Sequence, residues 1–132
     1  MKKIIYFTLL VAIASCSQSN NGTGGGVPQE PAIVFTTDAN ATNTSLSNTF
    51  PVVVTLTSAM PSSSGINIST TVIDQTNNAT IAQNPSINST TAINNIQLIN
   101  LPRQHWCTVT IKVTSVATPI NFSTRTFNVA YK

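Results

Sequence analysis

Side chains suited to proton transfer, nucleophilic attack or metal binding are few in this 132-residue chain: His105, Cys16, Cys107, Asp38, Asp74 and Glu30. General acid–base chemistry needs paired carboxylates, or a histidine held by an acid. His105 and either aspartate could be written into a Ser-His-Asp set, but no nucleophile-elbow pattern or glycine-rich oxyanion loop accompanies them. No enzymatic activity is expected. His105-x-Cys107 puts two zinc-ligand types on one face of a strand, and no second pair completes a tetrahedron. No metal or cofactor is expected either. That leaves contact chemistry. Trp106 is the single tryptophan, and a solvent-facing aromatic on a β-sheet can stack on a sugar or a protein, or lie under an adjacent loop. Trp106, with His105 beside it in a surface loop, is the candidate ligand contact.

Charge excludes one class of partner. The net charge of +3 includes Lys2 and Lys3 at the N-terminus. Beyond them, Arg103, Lys112, Arg125 and Lys132 face Glu30, Asp38 and Asp74, and the body of the chain is close to neutral. Four scattered cations form no basic stripe, so no nucleic acid is expected as partner. Charged residues make up 7% of the chain, against about 25% in ordinary domains. Ser, Thr and Asn take their place, with little electrostatic steering of any partner.

The N-terminus says where these residues are delivered. Lys2 and Lys3 precede an apolar run, Ile4 to Ile13, too short to span a bilayer, and small residues then lead to Cys16. This is the layout of a secretory signal. Ile13-Ala14-Ser15-Cys16 resembles the lipobox of bacterial lipoproteins. That resemblance implies removal of residues 1–15, acylation of Cys16 and attachment to the membrane through it. One acyl chain anchors only marginally, at about 0.8 kcal/mol per buried methylene; the family's three chains, implied by the resemblance, would hold firmly. Ser17, where inner-membrane lipoproteins of enterobacteria carry Asp, implies by the same resemblance a bacterial cell-envelope location at the outer membrane. Ala12-Ile13-Ala14 also fits the ordinary signal peptidase, which would cut before Ser15 and leave Cys16 a thiol.

Residues 16–31 then read as lipidated cysteine and tether. Ser17 to Pro31 has no apolar period and is rich in Gly, Asn, Ser and Pro, a composition that behaves as flexible coil with a reach of about 20 Å. From Ala32 onward the period is two. Phe50–Thr57 turns Phe50, Val52, Val54 and Leu56 to one side, and Ile66–Asp74 does the same with Ile66, Ile68, Thr70 and Val72. Trp106–Ser115 alternates most clearly, with Cys107, Val109, Ile111 and Val113 inward. Phe122–Tyr131 places Phe127, Val129 and Tyr131 inward. Ala32–Asp38, Thr80–Ala82 and Thr91–Leu101 supply further strands, Asn40–Asn48 a polar connection, and Met60–Gly65 a turn. About seven strands over residues 32–132 predict an all-β fold, a single two-sheet sandwich with one apolar face per sheet.

Leu101-Pro-Arg-Gln-His-Trp-Cys107-Thr-Val109-Thr-Ile111 resembles the E–F corner of fibronectin type III and related immunoglobulin-like domains. There a leucine precedes a tyrosine by six residues and alternating apolar residues follow. Leu101, Val109 and Ile111 keep that spacing, and Cys107 stands where the corner tyrosine is expected. The resemblance implies an immunoglobulin-like β-sandwich and no particular activity. The expected protein is a lipid-anchored, non-catalytic binding or adhesion module, whose partners are the membrane and a surface protein or glycan. Alternatives are an accessory carbohydrate binder for glycan capture and a structural subunit of an envelope assembly.

Overall fold

The computed structural model describes residues 29–132. The signal segment, Cys16 and most of the tether lie outside the described residues. Nine strands are present: β1 (Phe35–Thr37), β2 (Thr42–Ser45), β3 (Phe50–Leu56), β4 (Ile66–Asp74), β5 (Thr80–Ile81), β6 (Ile87–Ser89), β7 (Ile93–Leu98), β8 (Trp106–Ser115) and β9 (Phe122–Tyr131). They form two sheets: β1-β3-β7, and β2-β9-β8-β4-β5 with β6 also on β4. All pairings between strands are antiparallel except β2 with β9, which is parallel.

Period-2 patterning decides what each sheet buries. Val52, Val54 and Leu56 of β3 and Leu98 of β7 meet Ile66, Ile68 and Val72 of β4, Cys107, Val109, Ile111 and Val113 of β8, and Phe127 and Val129 of β9. Ile33, Phe35, Ala39 and Leu101 complete this one core. The intervening side chains of β8, among them Thr108, Thr110, Lys112 and Thr114, face outward. The two-sheet, all-β architecture is therefore the expected one.

Two strands are additional to the expected set. The polar connection Asn40–Asn48 contains β2, and the segment after Thr80–Ala82 contains β6. Neither buries an apolar row: Thr42-Asn-Thr-Ser45 and Ile87-Asn-Ser89 are held by backbone bonding to β9 and β4. Amide side chains finish the job. Asn43 donates to the Asn128 carbonyl at 3.1 Å and accepts from the Asn40 N–H at 3.0 Å. The turn before β4 needs Gly65, whose φ is +79°, and a Cβ there would overlap the Ser89 carbonyl of β6.

The tether also ends earlier than composition suggests. Asn121 donates to Glu30 Oε2 at 3.1 Å and to the Pro31 carbonyl at 3.0 Å, and accepts from the Ile33 N–H at 3.3 Å. One asparagine in the β8–β9 loop thus binds the entering chain to the sandwich.

Candidate functional site

The two ends of the sandwich differ. One carries the entering chain at Gln29–Val34, the β3–β4 turn and the β8–β9 loop; Val34, Ser58, Gly65, Val116 and Asn121 are linked there through backbone and side-chain hydrogen bonds. The other carries the C-terminal end of β4, the start of β8 and the end of β9, and on it lie His105 and Trp106.

His105 precedes β8 in the loop from β7. Its Nδ1 lies 2.7 Å from Asp74 Oδ2. A carboxylate only accepts, so Nδ1 carries the proton and donates. Asp74 is 4% exposed and its other oxygen accepts from the Thr76 N–H at 2.8 Å. The His105 hydrogen bond first, and Thr76 next, hold the Asp74 carboxyl below its ordinary range against the opposing effect of burial. His105 thus lies in a loop with its side chain partly exposed, and the fold turns it onto a buried acid. Among the described residues no hydroxyl or thiol hydrogen-bonds to its ring. The turn into β8 is tied by His105–Asp74, by the Gln104 N–H to the Tyr131 carbonyl at 2.6 Å, and by the Leu101 N–H to the Asn48 carbonyl at 2.9 Å. Asn100 and Gln104 adopt left-handed backbone (φ 58° and 62°) to make that turn.

Cys107 is the register partner of Asp74 and is 1% exposed. Burial, and then the Asp74 charge, push its thiol up to about 11. It faces the core, whereas the His105 ring is committed to Asp74. Among the described residues no three His, Cys, Asp or Glu side chains gather to hold a metal ion.

Trp106 points from the opposite face of β8. It is 40% exposed, pairs with Ala130 of β9, and its carbonyl accepts from the Gln75 N–H at 2.9 Å. Next to it on the outer face, Gln75 Nε2 donates to Thr108 Oγ1 at 3.0 Å and to Asn128 Oδ1 at 2.9 Å. This joins β4, β8 and β9 into a level polar surface with Trp106 at its rim. Sequence reasoning had no means to find Gln75, because its partners lie 33 and 53 residues away.

A cleft lies elsewhere. A hollow of about 250 Å³ opens on the side of the sandwich between β4 and β7, with Ile68, Ile87 and Ile96 as its floor and Thr70, Gln83 and Asn84 at its rim. It contains no aromatic side chain and does not reach Trp106 or His105. Gln83, one of its lining residues, accepts from the Ile99 N–H at 2.9 Å and donates to the Ile99 carbonyl at 2.8 Å through its amide. A side chain thereby imitates one step of strand pairing at the end of β7, the longest sheet edge. No family model, no curated protein and no solved structure matches the chain.

Proposed function

We propose that this chain is a lipoprotein of the bacterial cell envelope, anchored through Cys16, whose sandwich is an immunoglobulin-like, non-catalytic binding or adhesion module. The observation that carries the reading is the placing of Trp106. It stands half-exposed on a hydrogen-bonded outer face, at the end of the sandwich opposite the entry of the chain. An anchored domain would present that rim outward, to a surface protein or glycan.

The immunoglobulin-like assignment has support in the strand order. β1-β3-β7 against β9-β8-β4 follows the A-B-E against G-F-C order of such sandwiches, with β5 and β6 beside the C position and β2 beside G. Assembly through an edge strand is less well supported. β1, β2, β5 and β6 are two to four residues long, and Gln83 and Asn84 lie against the end of β7. Glycan capture keeps one argument, the aromatic face of Trp106. The cleft lies away from that face, so the broader binding reading comes first.

The test is retention of cells on a glycoprotein-coated surface. Cells carrying the wild-type chain should be retained more than cells lacking it, and Trp106→Ala should bring retention down to the level of the latter with surface amount unchanged. Periodate treatment of the coat, which destroys sugars, separates glycan from protein recognition. Equal retention with and without the chain would overturn the proposal.

A further inference from the structure

The end of the sandwich where the chain enters exposes several large apolar side chains. Ile120 is 85% exposed, and Val34, Val116 and Phe122 are all well exposed beside it. Hydrogen bonds bring their segments together at Asn121: its carbonyl accepts from the Ser115 N–H, next to Val116, and its Oδ1 accepts from the Ile33 N–H, next to Val34. Asn121, between Ile120 and Phe122, is the residue that fastens the entering chain through Glu30 and Pro31. The apolar cluster and the point of chain entry are therefore one place.

We infer that this end is a membrane-contacting face, with Ile120, Val116, Val34 and Phe122 entering the boundary between headgroups and acyl chains. The inference rests on the anchor reading of Cys16. Thirteen residue steps separate Cys16 from Gln29, and even fully extended they span at most about 45 Å. An acylated Cys16 therefore confines the apolar end close to the bilayer, where a second, weak contact gains from proximity. The acyl chains would hold the protein at the membrane, and the apolar patch would set how the domain lies against it. The charges at this end suit the same partner. Lys112 Nζ sits 4.3 Å over the Phe122 ring, a long side chain able to extend its ammonium to anionic headgroups while its stem lies on apolar surface. Burial works to raise the Glu30 pKa, but hydrogen bonds from Asn121, Ser115 and Thr118 outweigh it, so this acid is already partnered by the protein.

The protein carries its own control, because Trp106 lies at the opposite end of β8 and is the single tryptophan. The acylated full chain would be reconstituted in vesicles of equal parts phosphatidylethanolamine and phosphatidylglycerol, with brominated or plain acyl chains. Bromine quenches indole only at contact distance. Wild-type emission should be the same in both vesicles. Ile120→Trp, at an exposed position outside the core, should add emission that is blue-shifted in plain vesicles and mostly lost in brominated ones. Far-ultraviolet circular dichroism identical to wild type establishes that the variant is folded. Cosedimentation with vesicles but no quenching at position 120 would overturn the contact face and leave the anchor standing. Quenching of Trp106 instead would overturn it by reversing the orientation. Failure to cosediment would overturn the anchor, and this inference with it.

Discussion

At the scale of single residues, the Asp74–Cys107 pair places a shifted carboxyl and a shifted thiol across one register position. With its thiol at about 11, Cys107 has about one thiolate per ten thousand molecules at neutral pH. The native protein should therefore resist a thiol reagent at Cys107 and react once unfolded, as followed by mass spectrometry. Cys107→Val should change stability by about 1.5 kcal/mol or less, whereas Cys107→Asp should cost about 3–5 kcal/mol by burying an unpaired charge. Rapid native labelling would mean that β8 is out of register by one residue. Asp74 has the opposite shift. Its folded pKa lies below the unfolded value, so its stabilising contribution is present above about pH 4 and is lost as pH falls through the folded pKa. The melting temperature should therefore decline in acid, and Asp74→Asn should make that decline shallower while lowering the value at neutral pH. An unchanged acid slope would show that the His105–Asp74 bond does not form.

At the scale of elements, the short strands depend on residues that make no core. β6 reaches β4 only because the chain at Gly65 turns with positive φ and leaves room for the Ser89 carbonyl. Gly65→Ala places a Cβ against that backbone oxygen in a conformation L-residues avoid, and should destabilise by about 2 kcal/mol or more. Urea unfolding measures the loss, and amide exchange should show it concentrated in β6 and the start of β4. A neutral substitution would mean that β6 is not seated where described. The strands legible in the sequence were β3, β4, β8 and β9, each with a buried alternate row, and the shorter β1, β5 and β7. β2 and β6 were not legible, because Thr42-Asn-Thr-Ser45 and Ile87-Asn-Ser89 are placed by a neighbour's backbone, which leaves no period in side-chain polarity.

At the scale of the whole molecule, the apolar end and the Trp106 rim lie at opposite ends of β8, and the proposed anchor precedes the chain's entry at the former. Attachment through Cys16 makes a direct prediction. Cys16→Ala should move the protein from the membrane fraction to the soluble fraction or leave it as uncleaved precursor, read by fractionation and mass. A weak apolar contact alone is too small to hold the released domain. A mutant that is processed and still membrane-bound would show that something other than Cys16 anchors it. Of the candidate contacts, Trp106 and His105 were legible as residue types. The outward direction of Trp106 followed from alternation, but the bond from His105 to a buried acid did not, since it depends on where Asp74 ends β4.

Sequence alone determined the all-β class, the inward row of the long strands and the scarcity of catalytic groups, because these follow from composition and a local period of two. It also carried the whole case for Cys16, which lies outside the described residues. Tertiary structure decided the rest. It decided which aspartate His105 meets, how Gln75 and Gln83 bridge strands, and that Asn121 binds the entering chain next to Ile120 and Phe122. Each of these is a contact between residues 16 to 91 positions apart, made by amides, an imidazole and carboxylates. Such groups bond by distance and angle, and no local pattern of hydrophobicity records where their partners will be.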